Sequence, residues 1–112
     1  MCGILGMVGT RWREHVHNVL GTLRRRGPDD HGLWTAGSVS LGHNRLSIID
    51  LSPRGKNPMP NEDESLWLVA NGEIYNHKEL RKGLEKKGHT FRSDTDTEVI
   101  LHLYEEEGPE FV

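Results

Sequence analysis

The stretch Cys2-Gly3-Ile4-Leu5-Gly6-Met7-Val8 (CGILGMV) decides how this chain is read. Short, apolar and punctuated by glycine, it predicts a buried β-strand that starts almost at the N-terminus. Cys2 is the single cysteine, so no internal disulfide is open to it. Its thiol is either small apolar filler or a reactive group. Initiator methionine is commonly removed ahead of a small residue, and removal of Met1 would leave a cysteine with its own α-amine beside its sulfur. An α-amine titrates at about 7.7–8.0, close enough to neutrality to act as a general base. Nucleophile and base would then come from one residue.

Working outward, Val16, Val19, Leu20 and Leu23 recur at the i, i+3, i+4, i+7 spacing of an amphipathic helix over Glu14–Arg26. Arg24 to Arg26 fall in its last turn and Gly27-Pro28 closes it. Extended candidates follow at Leu33–Thr35, Val39–His43 and Ser47–Ile49, then a polar, proline-bearing loop over Ser52–Asp63. Leu66–Ala70 predicts another buried strand, turned sharply by Asn71-Gly72. A helix over His77–Lys87 with Leu80 and Leu84 inward precedes a brief strand at Thr90–Arg92. Thr95 and Glu98 have the spacing of a capping box for a last helix, with an apolar face of Val99, Ile100, Leu103 and Tyr104 and a stop at Gly108-Pro109. The apolar start at Phe111-Val112 leads us to expect a truncated domain.

At 112 residues the chain holds one core at most. That core is thin: 34% of residues are hydrophobic, and the 13 glycines close much of the gap to an ordinary globular composition. A net charge of −3, with basic residues scattered apart from Arg24–Arg26, argues against nucleic acid as a partner. No run approaches the length of a membrane span and no signal-peptide pattern opens the chain, so the expectation is a soluble, cytoplasmic protein with no membrane partner. None of the seven histidines, His15 and His17 included, falls at a recognised ligand spacing, so no metal site is expected.

Five segments occur in order across nearly the whole chain: Cys2-Gly3-Ile4-Leu5-Gly6; Arg26-Gly27-Pro28-Asp29; Leu41 to Asp50 (LGHNRLSIID); Asn71 to Asn76 (NGEIYN); and Ser93 to Leu101 (SDTDTEVIL). Together they resemble the class II glutamine amidotransferases, most closely the glutaminase domain of asparagine synthetases. The resemblance implies an α+β fold of the N-terminal-nucleophile hydrolase type, a four-layer αββα sandwich with antiparallel sheets, here truncated. It implies that Cys2 attacks the side-chain amide of L-glutamine, forms a glutamyl thioester, releases ammonia and is freed by water, with no cofactor for that step. It also implies a synthetase domain or subunit, absent from residues 1–112, that uses ATP and magnesium to activate aspartate. No phosphate-binding loop is present in the sequence. A homodimer is a further partner expectation, because an open sheet edge tends to pair.

The resemblance assigns the remaining roles residue by residue. Asn71 and Gly72 match the oxyanion hole, Arg45 the clamp on the glutamine α-carboxylate, and Asp96 the acid that holds the α-ammonium, aided by Glu73 and the backbone of Ile48 and Ile49. Each has a plainer reading. Asn-Gly is a common turn, Arg45 could be an ordinary strand arginine facing solvent, and an aspartate in the first turn of a helix is favoured by the dipole alone. Asp94 lies two residues from Asp96, and the motif selects Asp96. Tyr75 and Trp67 line either the core or a lid. Two other functions stay open: an amidotransferase with a different ammonia acceptor, and a non-catalytic module that binds glutamine or a partner. If Met1 stays attached, the base becomes an amide nitrogen and the chemistry cannot run.

Overall fold

The computed structural model describes residues 1–112. It is an α+β structure whose sheets are antiparallel, and its contacts gather into two compact units. The first comprises residues 1–48, 56–58 and 69–71; the second comprises residues 49–55, 59–68 and 72–112.

In the first unit β1 (Gly3–Val8), β2 (Asp30–Ala36) and β3 (Val39–Arg45) form a sheet of order β1-β3-β2. The β2–β3 hairpin closes through Gly37-Ser38, and Gly37 sits at φ 53°, the left-handed backbone that such two-residue turns require. Side chains of successive residues alternate between the two faces. Odd residues of β1 and even residues of β3 face helix α1 (Val16–Thr22): the Asn44 amide donates to the Leu20 carbonyl at 2.6 Å, and Gly42 lies against the Leu20 side chain. The opposite face carries His43 and Arg45 and is covered by the short segments 56–58 and 69–71 of the same unit. Gly32, paired with His43, abuts the Asn57 carbonyl, and the His43 ring meets the Ala70 carbonyl at 3.1 Å.

Two expectations change here. β1 is buried on one face only, with Ile4 47% and Val8 78% exposed, because it is an edge strand and its outward face is left half open. The helix ends at Thr22, not Arg26. Gly21 weakens its last turn, the Thr22 hydroxyl bonds back to the Val19 carbonyl, and Leu23 and Arg24 donate to carbonyls three residues back. Arg24 to Arg26 therefore lie in a turn beyond it. That turn ends against β3, where Gly27 packs on the Asn44 carbonyl and Asp29 N–H donates to the Arg45 carbonyl.

The second unit holds a two-residue ladder of β4 (Met59–Pro60) and β5 (Trp67–Leu68), with α2 (His77–Lys86) and α3 (Val99–Glu107). α3 packs on α2 and β5 around buried Met59, Leu84, Val99 and Leu101. Ser47–Ile49 and Thr90–Arg92 form no strand, Leu66–Ala70 pairs only at Trp67 and Leu68, and Asn71-Gly72 is a bend in which Gly72 keeps an ordinary negative φ. The capping box gives way to a different arrangement: the Glu98 carboxylate accepts the Arg92 and Ser93 amides and the Ser93 hydroxyl. This rotates α3 so that Glu98, Leu101 and His102 face inward, while Tyr104 is 41% exposed. Burial works against the charge on Glu98. His102, the Ser93 hydroxyl and the two amides outweigh it and hold the carboxyl below its ordinary range.

These contacts separate two glycines. A Cβ on Gly27 would fall on the Asn44 carbonyl, whereas a Cβ on Gly83 in α2 would meet nothing within 4 Å. In urea unfolding, Gly27→Ala is expected to cost about 2 kcal/mol or more, and Gly83→Ala to gain roughly 0.5–1 kcal/mol. A tolerated Gly27→Ala would contradict the packing of the 26–29 turn.

Candidate functional site

The β1–β3 ladder ends at Gly3↔Asn44, and one residue beyond that pair lie Cys2 and Arg45. Gly3 faces α1, where a Cβ would run into the Leu23 side chain, so alternation turns Cys2 to the face shared by Arg45 and His43. The sulfur is fixed there. Cys2 Sγ accepts the Leu46 N–H at 3.3 Å and lies 3.7 Å from the Leu46 carbonyl, while the Cys2 carbonyl accepts Arg26 Nε at 3.2 Å. Met1 is 73% exposed, so the residue ahead of Cys2 contributes little packing.

Arg45 is 7% exposed on the last residue of the central strand. The turn that follows is held by Asp29, whose carboxylate accepts the Ser47 N–H at 2.8 Å. Asn71 reaches the same face through its neighbour Ala70, whose carbonyl meets His43 Nε2, and Asn71 itself is exposed. Three of the expected residues, Cys2, Arg45 and Asn71, thus approach one face of the sheet within the first unit. Ile48, at the end of that unit's first segment, is 69% exposed.

Ile49, Gly72, Glu73 and Asp96 belong to the second unit. Asp96 is 5% exposed and its Oδ2 accepts the Ile74 N–H at 2.6 Å, tying the residue after Glu73 to the 93–98 loop. One amide leaves a carboxylate with further acceptor capacity. Asp94, by contrast, is exposed and pairs with Arg81 at 3.5 Å, so burial separates the two aspartates as the motif did. Tyr75 is 90% exposed and is no core residue; Trp67 is half-buried in β5 and donates to the Glu64 carbonyl.

Several contributors escaped the sequence reading. Asp50, 8% exposed, accepts the Ser52 and Asp94 amides and so joins its loop to the 93–98 loop. His43 and the Leu46 backbone gave no signal, since a histidine in a strand and a main-chain amide look ordinary in sequence. Glu62, His89, His102 and Glu105 bring one ligand-capable atom each to within 4.8 Å of one another, although their sequence spacing fits no familiar metal motif. A cleft beside α1, lined by His17, Leu20, Arg24, Asp29, Asp30 and His31 among others, includes neither Cys2 nor Arg45.

Comparison with known proteins places the chain in a family. A model of the glutamine amidotransferase domain matches residues 1–112, and the chain belongs to that family. Among its relatives are glutamine-hydrolysing asparagine synthetases of Sandersonia aurantiaca, 49% identical over all of this chain and 22% of the relative, and of Arabidopsis thaliana (asparagine synthetase 1), 48% identical over all of this chain and 20% of the relative. A probable asparagine synthetase of Dictyostelium discoideum is 43% identical, again over the whole chain and 21% of the relative. The chain spans about one fifth of the length of these curated relatives. No helix is long and apolar enough to cross a membrane.

His43 supplies a pH test of this face. Burial is the main influence on its ring and lowers its pKa below the ordinary 6.5; the Ala70 carbonyl and Asp30 oppose this, and Arg45 adds to it. The folded state therefore resists protonation. The contribution is full above pH 6.5 and is lost progressively as pH falls below that value, where the unfolded chain takes up the proton first. Unfolding midpoints should decline on that acid side. His43→Gln keeps a donor for the Ala70 carbonyl and should remove that part of the decline; an unchanged pH profile in the variant would contradict the assignment.

Proposed function

We propose that the chain, freed of Met1, hydrolyses glutamine to glutamate and ammonia through a thioester on Cys2, and that the longer protein passes the ammonia to aspartate to make asparagine. The observation that carries this reading is the position of Cys2 one step beyond the Gly3↔Asn44 pair, on the face of the buried Arg45, with its sulfur held by Leu46. The asparagine synthetases among the relatives favour aspartate as acceptor over the other acceptors left open by the sequence. The proposal carries with it the four-layer N-terminal-nucleophile hydrolase architecture for the complete domain.

In this mechanism the Cys2 α-amine takes the thiol proton and the thiolate attacks the amide carbon of the glutamine side chain. The motif match assigns the oxyanion to the Asn71 side-chain amide and the Gly72 N–H, donors of the kind that stabilise developing negative charge. The protonated amine then gives its proton to the departing nitrogen, ammonia leaves, and the glutamyl thioester remains. Water, deprotonated by the same amine, attacks the thioester carbon; the intermediate collapses with cleavage of the C–S bond, the Cys2 thiolate takes the proton back from the amine, and glutamate is released. Arg45 holds the glutamine α-carboxylate with paired hydrogen bonds. The motif match assigns the α-ammonium to Asp96, with Glu73 and the backbone of Ile48 and Ile49 in support. ATP and magnesium belong to the synthetase part, and no residue of this chain is assigned to them.

In a glutamate-release assay on the processed chain joined to its synthetase part, Cys2→Ala should abolish turnover. Asn71→Ala should lower kcat by about 10²–10³-fold, the loss of one oxyanion donor. Arg45→Lys should act chiefly on KM, raising it roughly tenfold or more because a point charge replaces a two-pronged grip. Equal rates for Cys2→Ala and the unsubstituted enzyme would rule the mechanism out.

A further inference from the structure

We propose that Glu62, His89, His102 and Glu105 of the second unit form a four-coordinate site for a divalent transition ion of the zinc type, separate from the glutamine chemistry. The four residues come from three places: Glu62 from the loop after β4, His89 from the segment after α2, and His102 and Glu105 from one face of α3. Both imidazoles turn Nδ1 inward. His102 Nδ1 lies 3.0 Å from a Glu105 oxygen and 3.5 Å from a Glu62 oxygen, and His89 Nδ1 lies 3.4 Å from Glu105 and 3.7 Å from Glu62. Tetrahedral ligands at about 2.0–2.1 Å from a central ion stand about 3.4 Å apart from one another. These four histidine–carboxylate separations, which use both oxygens of Glu62, bracket that spacing, and one ligand atom from each residue lies within 4.8 Å of the others.

The outer ring of contacts points the same way. Metal-bound histidines usually offer their second ring nitrogen to a carboxylate or carbonyl, which fixes tautomer and orientation. His89 Nε2 lies 2.9 Å from Glu106, and His102 Nε2 lies 3.8 Å from Glu98, itself 1% exposed. His102 is also 1% exposed, so its ring is held by packing with Nδ1 toward Glu62 and Glu105. The carboxylate ligands are oriented as well: Glu62 accepts the Thr90 N–H at 3.0 Å and Glu105 accepts the Asn61 amide at 2.7 Å. Two nitrogen and two oxygen donors suit zinc or cobalt(II) better than magnesium, which prefers an all-oxygen octahedron. With four protein ligands the site is closed to substrate and acts as a staple, joining β4, α2 and α3 in a unit with few apolar side chains in its core.

The test is zinc binding by the chain joined to its synthetase part and carrying Cys2→Ala, so that the thiol cannot compete. Equilibrium dialysis should find one zinc per chain, with a rise in Tm, and cobalt(II) in its place should show the strong visible absorption of four-coordinate geometry. His89→Gln and Glu62→Gln, near-isosteric changes checked for folding by circular dichroism, should each weaken zinc at least tenfold and abolish the rise in Tm. Failure of the Cys2→Ala chain to retain zinc, or equal zinc affinity in it and both variants, would overturn the site and leave the cluster a network of ion pairs.

Discussion

The antiparallel pairing of β1 with β3 is the constraint on which the functional reading depends. Its register, ending at Gly3↔Asn44, brings the second residue of the chain to the end of the central strand, where the Leu46 amide meets the sulfur at 3.3 Å. A chain terminus is ordinarily poorly ordered unless tied down. Here a strand begins within one residue of Cys2, and the 26–29 turn closes over the same point through the Arg26 bond to the Cys2 carbonyl and the contact of Gly27 with the Asn44 carbonyl. Catalysis by a terminal cysteine demands such positioning, because an amine that is both mobile and solvated gains little over water as a base.

The division of labour between the sheet faces follows from alternation. The α1 face is devoted to packing, with Leu20 against Gly42 and the Asn44 amide satisfied by the Leu20 carbonyl. The other face collects Cys2, His43 and Arg45, and is covered by short extended segments in place of a helix. Cys2 and His43 there are kept in place by the Leu46 amide and the Ala70 carbonyl, main-chain groups that cost no side-chain entropy to order. In the second unit a comparable economy operates in the 93–98 loop: Asp50, Asp96 and Glu98 each accept backbone amides, so three carboxylates organise a loop that has no strand of its own.

The legibility of this arrangement in the sequence was uneven. A short apolar run located β1 and periodicity located α2 and α3, while the five motifs singled out Cys2, Arg45, Asn71 and Asp96. Boundaries failed where side-chain and turn bonds displaced the expected helix ends. The helix over residues 14–26 shortened because Gly21 and Thr22 favour a turn, and the Thr95–Glu98 capping box gave way because Glu98 found better partners in Arg92 and Ser93. The inward face of α3 was read correctly only at Val99, because Glu98 and His102 are buried beside it, with Glu98 satisfied by the Arg92 and Ser93 amides, and hydrophobic periodicity cannot register buried polar residues. One signal was open to sequence reading: His102 and Glu105 stand three residues apart on a helix, a spacing that puts both on one face.

The central claim is that the Cys2 sulfur answers to an amino-acid-shaped ligand and not merely to solvent. Intact mass spectrometry of the processed chain, joined to its synthetase part and treated with a chloroketone analogue of glutamine, tests this most directly. The account predicts loss of one methionine and a single adduct on Cys2, formed faster than with a simple chloroketone and slowed by free glutamine. Labelling of Cys2 at the same rate by both reagents, indifferent to glutamine, would contradict it.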